Sequence, residues 1–399
     1  MSIKENISIK KESQCCGCKA CGDICPTGAI SFIYAKDGFV RPVIENIKCI
    51  SCGKCLSVCP FHNVPKGFTP LLTYAVSNMD RDVVKNSSSG GVFRPLAVNQ
   101  LNEEGFVAGC ILDDSFKVKH ILSDSKEDLF RMQKSKYVQS DLSGLYAEIK
   151  NIVKLGRSVL FSGTPCEIAA LKNVLDEDQR ENVLFVDIVC HGTPNQQLFD
   201  DYLHYFEKRT KERIKKYIFR AKKAANDGMN WYSAVQFQNG SVKFFNWPMD
   251  SYCYYYMIGA LNRSSCYSCP YCSLERQGDI TLCDFWSWEK YHEGFFEPGS
   301  QVSGVMLNTK KGVDAFNKLD DKHRIVAVQS TAEHIAKHNS CLVNPLPIPN
   351  ERTTIFNIYS SIGFEGVDKY FRKKHWKSIC KYSLIMHFPG ILRLKSLKR

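Results

Sequence analysis

The stretch VLFSGTPCEIAALKNVL, residues 159–175, reads as a buried strand that ends at Gly163 and turns directly into a helix. Thr164 is placed to cap that helix, Pro165 occupies its first position and Glu167 completes a capping box. A few residues on, VLFVDIVCHGTPNQQLF (183–199) repeats the grammar, with Thr193, Pro194 and Gln196 in the same roles. Junctions of this kind predict an α/β layer. They place Cys166 in the first turn of one helix, where the dipole favours a thiolate, and Cys190 at the end of the next strand. Both thiols then lie at the carboxyl edge of the sheet, where open α/β folds bind ligands.

Outward from this pair, periodicity predicts strands near 71–77, 106–112, 117–122, 158–162, 183–189, 214–220, 231–238, 241–247 and 279–285. Helices fit near 91–103, 142–155, 166–175, 195–209 and 250–261. Asn239-Gly240 between two aromatic-rich runs is a hairpin turn. The fold expected is a mixed-sheet α/β domain over 67–335, entered through the linker FHNVPKGFTP (61–70). A smaller unit precedes it over 1–66, and an extension covers 336–399.

The smaller unit is defined by its nineteen-cysteine chain's densest region. In CCGCKACGDICP (15–26), Cys15, Cys18, Cys21 and Cys25 are spaced two, two and three apart before Pro26. CISCGKCLSVCP (49–60) repeats this with Cys49, Cys52, Cys55 and Cys59 before Pro60. The duplicated run is the two-cluster 4Fe-4S ferredoxin pattern, in which each run's fourth cysteine ligates the other cluster. Cys15, Cys18, Cys21 and Cys59 therefore form one set, and Cys49, Cys52, Cys55 and Cys25 the other; Cys16 is left over. A structural zinc site would not require two copies of this spacing.

The opening residues lack an apolar signal core, so the reading is a cytoplasmic chain with reduced thiols. Of the net charge of +12, ten positive charges sit in 369–399 without one acid, leaving the body at +2. That balance argues against nucleic acid as a partner. No Walker loop, GxGxxG fingerprint or Ser-His-Asp arrangement is present, which disfavours nicotinamide binding and hydrolysis.

Taken in order, SSSGGVF, KSKYV, SGTPCEIAAL, DIVCHGTPNQQLFDDYL and CYSCPYCSLERQGDITLCDFW resemble the coenzyme F-420 hydrogenase/dehydrogenase beta-subunit family with a ferredoxin-type domain in front. The resemblance spans roughly residues 10–330 and implies an iron–sulfur flavoprotein that binds FAD. It implies a third 4Fe-4S cluster on Cys166, Cys190, Cys266 and Cys269. Cys272 and Cys283 keep open a local rival set with Cys266 and Cys269. For the flavin it implies Ser89, Gly90, Gly91, Lys136, Tyr137, Ser140, Gly163, Thr164 and Pro165, with Lys136 toward a pyrophosphate. His191 reads as a proton relay or as support for the cluster, and Asp279 and Asp284 as orienting groups or strand caps.

The function expected is an oxidoreductase that passes electrons between a low-potential donor such as ferredoxin and a small organic substrate. The resemblance extends to proteins of polysaccharide synthesis, so an envelope precursor is one substrate class. The other reading is an electron-transfer adaptor without substrate chemistry. The tail DKYFRKKHWKSICKYSLIMHFPGILRLKSLKR, broken at Pro389-Gly390, reads either as a peripheral contact with an anionic membrane or as a helix covering the protein's own core.

Overall fold

The computed structural model of the chain describes residues 5–223, 232–320 and 324–387. The N-terminal unit is a hairpin of β1 (Ile30–Tyr34) and β2 (Val40–Ile44) with two helical turns, Ala20–Asp23 and Lys54–Ser57. Each turn is entered through a left-handed residue, Lys19 at φ 66° and Gly53 at φ 75°, so the sequence duplication becomes a structural one.

Eight strands form the large sheet: β3 (Leu72–Asn78), β4 (Phe106–Leu112), β5 (Val118–Ser123), β6 (Val159–Gly163), β7 (Val183–Ile188), β11 (Ile280–Asp284), β12 (Ser303–Leu307) and β13 (Ile325–Gln329). Their order is β13-β3-β12-β11-β7-β6-β4-β5, with β4, β6, β7 and β11 parallel and the outer pairings antiparallel. The central strands are largely buried, with helices packed on both faces, so they read as mostly apolar runs. Helix Pro165–Val174 buries Ile168, Ala169, Ala170 and Leu171 against them. Glu167 accepts the Thr164 N–H at 2.8 Å, as the capping grammar predicts.

A second sheet, β8 (Ile214–Ala221), β9 (Tyr232–Phe237) and β10 (Val242–Asn246), is antiparallel, and its last turn holds Gly240 at φ 87°. Its core is aromatic: Phe199, Tyr202 and Phe206 of helix Gln196–Thr210 pack on Tyr217, Phe219, Phe237 and Tyr252. Each such side chain contributes about 1.5–3 kcal/mol on burial. Helices Arg352–Ile362 and Phe364–His387 close this core with Ile355, Val367 and Phe371.

Several expectations change. The second junction starts its helix at Gln196 with Asn195 as cap, its carboxamide accepting the Leu198 N–H at 2.7 Å, not with Thr193. The Thr193 and Pro194 carbonyls are engaged instead by the N–H groups of Arg263 and Gln139, so tertiary contacts hold this segment extended. The helix expected over 250–261 stops at Met257, where Gly259 at φ 79° turns the chain. Strands β12 and β13, with helices Lys310–Asp320, Ala332–Ala336 and Arg352–Ile362, carry no reading in the sequence, whereas helix Phe364–His387 falls on the tail, one of whose two readings is a core-covering helix. Trp231, inside an expected strand, and residues 388–399, including Pro389-Gly390, lie outside the described residues. Among the described residues no helix is long and apolar enough to cross a membrane.

Candidate redox centre and cofactor pocket

The carboxyl ends of β4, β6, β7 and β11, with the start of β12, converge on a cavity of about 270 Å³. Cys110, Gly163, Cys190 and Asp284 mark the four strand ends in its wall. Behind that wall lies a second cavity, of about 40 Å³, lined by Cys166, Cys190, Cys266, Cys269, Cys272, Cys341 and Cys16. Thr164, Cys190, His191, Gly192 and Thr193 belong to both walls, so one layer of chain separates the two spaces.

The loop carrying Cys266 and Cys269 is drawn to the edge by Arg263, whose N–H bonds Thr193 O at 3.0 Å. A fully buried ion pair, Arg276 with Asp187 at 3.1 Å, anchors its other end, and Arg276 also bonds the Tyr271 and Ser273 carbonyls. Burial and their mutual charge push the Cys190 thiol well above its ordinary range. Cys166 is raised too, first by hydrogen bonding to Cys16 and then by burial, so the helix dipole does not set its protonation. Thiols packed this tightly bind metal by releasing protons.

Among the described residues no three His, Cys, Asp or Glu converge on a single-ion position. The thiols ring a space instead. Sulfur binds metal at about 2.3 Å, much closer than it packs against a water, so a small thiol-lined cavity suits a covalently held group. Cys166, Cys190, Cys266 and Cys269 all line it, and Cys272 does as well. Cys283 does not: it lines the larger pocket and its thiol donates to Gly304 O at 3.5 Å. The local rival set is therefore not assembled as a foursome.

In the N-terminal unit, Cys15, Cys18, Cys21 and Cys59 line one cavity of about 400 Å³. Of the other set, Cys52 and Cys55 are electrostatic neighbours, Cys49 sulfur accepts from Asn6 at 3.9 Å and Cys25 sulfur takes the Ala29 N–H at 3.3 Å. Cys16 lies between this unit and the sheet: it packs in one buried cluster with Cys18 and Cys166 and lines the thiol cavity with Cys166. Arg263, fully buried, bonds Cys15 O at 3.2 Å, Val40 O at 2.9 Å and the Gln139 carbonyl oxygen at 2.8 Å, over the ring of Phe39. Ser265 adds a bond to Cys15 O at 3.0 Å and Asn195 one to Asp37 O at 2.9 Å.

Of the residues expected at the flavin, Ser89, Gly91, Lys136, Tyr137, Ser140, Gly163 and Thr164 line the larger pocket. Tyr137 stacks on Tyr256 at 4.3 Å, and Ser140 bonds His120 Nδ1 at 2.7 Å. Gly90 lies behind the wall, where a Cβ would meet Val76 O at 2.3 Å, and Pro165 faces the thiol cavity. Lys136 is a correction. Its ammonium donates to Cys110 O, Arg131 O, Met132 O and Gln133 O at 2.7–3.0 Å, closing the end of helix Lys126–Met132. Three donors already face four carbonyls, so none is left for a phosphate.

Asp279 is a strand cap: it accepts from the Phe185 N–H at 2.9 Å and the Thr309 hydroxyl at 2.7 Å and does not line the pocket. Asp284 does line it, paired with buried Arg220. His191 sits in the shared wall, its Nδ1 3.6 Å from the Cys341 thiol, and burial pushes its pKa down despite Asp284. Sequence reasoning missed Cys341, Arg220, Arg263 and Gln139. Only the unpaired Cys16 of the CC doublet carried a signal.

Residues 14–63 match the family model of a 4Fe-4S dicluster domain, and residues 156–333 match that of the C terminus of the coenzyme F420 hydrogenase/dehydrogenase beta subunit. Residues 156–333 carry this family's C-terminal domain. The chain thus joins a 4Fe-4S dicluster domain to a segment similar to the C-terminal part of that beta subunit. An uncharacterized protein of Methanocaldococcus jannaschii is 27% identical over 212 residues, which cover 44% of this chain and 58% of that one. A chain of the F420-reducing [NiFe] hydrogenase complex from Methanosarcina barkeri aligns at 16% identity and a TM-score of 0.44, over 78% of this chain and 92% of that one.

Proposed function

We propose that the protein is an iron–sulfur flavoprotein oxidoreductase that carries electrons from a low-potential, ferredoxin-like donor to a small organic substrate. The observation that carries this reading is the shared wall from Cys190 to Thr193, with a thiol-ringed cavity behind it and a ligand-sized pocket in front. Cys15, Cys18, Cys21, Cys59 and Cys49, Cys52, Cys55, Cys25 would hold two 4Fe-4S clusters, and Cys166, Cys190, Cys266 and Cys269 a third. The pocket, near the lower end of the ~300–1,000 Å³ usual for small-molecule sites, would hold FAD between the Ser87–Gly91 loop and the Tyr137–Tyr256 pair. Bound there, the clusters would supply single-electron steps and the flavin the pairing of two electrons that hydride chemistry needs.

The chain's own contribution is position and exclusion of water. Arg263 and Gln139 lock the N-terminal unit against the thiol cavity, and Cys16 fills the gap between the first cysteine set and Cys166. Asp284 holds Arg220 at the pocket wall, and His191 stands beside Cys190, where a proton can be exchanged with a ligand.

The reading is tested on anaerobically purified protein, by iron content, electron paramagnetic resonance and identification of released flavin. Folded, iron-replete protein that takes up neither FAD nor FMN would replace the enzyme by the adaptor. The basic helix Phe364–His387, with Trp376 and Leu384 exposed, supports a peripheral position on the inner face of an anionic membrane, which suits a lipid-linked or envelope-precursor substrate.

A further inference from the structure

The N-terminal unit carries a surface that its own packing does not use. Ile30, Phe32 and Ile44 of the β1–β2 hairpin turn inward, against a small core that includes Ile7, Cys55 and Leu56. Val43, next along β2, turns outward and is exposed. The strip continues into the turn after β2, where Ile47 is 95% exposed and Ile50 63%, on either side of Cys49. Residues 6–9 border the same thiol: Asn6 donates to the Cys49 sulfur at 3.9 Å, Ile7 is buried beneath and Ile9 is exposed. Single exposed apolar side chains are ordinary, but four of them along two stretches that border one proposed ligand set make a patch, and patches of this kind mark contact sites.

The same two stretches are basic. Over residues 1–66 nine Lys or Arg stand against five Asp or Glu, whereas residues 67–368 carry a net charge of −2. Lys10, Lys11, Lys19 and Arg41 line the cavity of the first cysteine set, and among the described side chains no carboxylate lines it. Lys19 and Arg41 are answered by Asp141 and Asp37, and Lys48 by Glu45 at 2.6 Å. Lys11 and Lys54 are exposed, and no ion pair of the described residues includes either. The patch is thus apolar at its centre and positive around it. It also lies at the outer of the two sets: Cys25, Cys49 and Cys52 are half-buried, whereas Cys18, Cys21 and Cys59 are buried, and Cys15 of that inner set is tied toward the sheet through Arg263.

We propose that this face, formed by residues 9–11 and 43–54, is where the electron donor docks, and that the donor is a redox protein presenting an acidic surface with an apolar centre. This rests on the donor-to-substrate reading above and adds where, and by what chemistry, the donor binds. Each encounter passes one electron, the donor being oxidised by one and the outer site reduced by one, with no bond made or broken. Encounters between redox proteins use small faces, and complementary charge sets their association rate.

The test is anaerobic stopped-flow reduction of the iron-loaded full chain, read as bleaching of its visible absorption, with a reduced acidic ferredoxin and with dithionite, at low and high salt. Wild type is compared with Lys11→Glu/Lys54→Glu and with Ile47→Ser. The second-order rate constant with ferredoxin should fall as salt rises in wild type, and the double reversal should lower it about 10- to 100-fold at low salt. Ile47→Ser should slow the ferredoxin reaction and leave its salt dependence in place. Dithionite should reduce all three proteins at nearly one rate, with iron content unchanged. Equal ferredoxin rates in wild type and both variants, or a wild-type rate indifferent to salt, overturn the surface and leave the donor reading standing. Variants that slow dithionite as much as ferredoxin would show that these residues tune the site itself, which overturns the surface as well. If ferredoxin fails to reduce wild type where dithionite succeeds, the surface and the ferredoxin-like donor fall together.

Discussion

In the N-terminal unit the proposed ligands come from two runs of about a dozen residues each, and the chain between sulfurs is too short to place them otherwise. In the α/β domain the four corresponding thiols come from a helix start, a strand end and a loop, spread over more than a hundred residues. The first arrangement is written in spacing. The second exists only because parallel strands β6 and β7 bring Gly163 and Asp187 side by side and the Arg276–Asp187 pair pulls the 264–276 loop onto their ends. A locally encoded centre should therefore survive damage to the sheet edge, whereas the distributed one should not.

The largest expected effect tests that asymmetry directly. The double variant Cys166→Ser/Cys190→Ser should lose about four of about twelve irons after anaerobic reconstitution and keep the ferredoxin-type signals. An unchanged iron count would remove the distributed set. The two spare cysteines sharpen the same contrast: Cys283→Ser should leave iron content at the wild-type value, because its thiol lies in the other pocket. Cys272→Ser separates a ligand from a neighbour, since loss of about four irons there would make Cys272 the fourth ligand in place of one of the proposed set.

The seam between the two regions comes next in size. Arg263→Met strips several buried acceptors of their donor and should cost about 3 kcal/mol. Denaturant titration reads that loss. Limited proteolysis should release an intact N-terminal unit from the variant sooner than from wild type, and equal release would show that the seam does not depend on this residue.

The smallest effect concerns the tail. Deleting residues 369–399 would remove Phe371, which is fully buried, so charge reversal is the cleaner probe. Lys373→Glu/Lys377→Glu/Lys381→Glu should leave iron and flavin content intact and abolish salt-sensitive sedimentation with anionic liposomes, each lysine being worth about 1 kcal/mol at the surface. Sedimentation equal to that of wild type would leave the helix with only its packing role.

Legibility followed the range of the interaction. The junction at Gly163–Glu167 and the Asn239-Gly240 turn are settled by neighbours a few residues away, and the structure has both; of the two cysteine runs it gathers Cys15, Cys18, Cys21 and Cys59 around one cavity. The helix cap went astray because its partners are distant, and Lys136 because nothing in the local spacing says that its ammonium closes the end of the preceding helix. Asn195 displaces Thr193 as a cap because Arg263 and Gln139 hold the preceding segment extended. Lys136 turns inward to four carbonyls, and Lys134, two residues earlier, turns into the pocket; no spacing distinguishes them.

By itself, then, the sequence determined the cysteine spacing, the strand–helix alternation and the carboxyl-edge position of Cys166 and Cys190, because backbone geometry and short loops allow few alternatives. Only the tertiary structure decided which remaining thiols reach the cavity, where the N-terminal unit docks and that the Lys136 ammonium is taken up by carbonyls. Those outcomes depend on how buried charges such as Arg263 and Arg276 find partners more than eighty residues away, and one-dimensional spacing does not specify such long-range hydrogen-bond satisfaction.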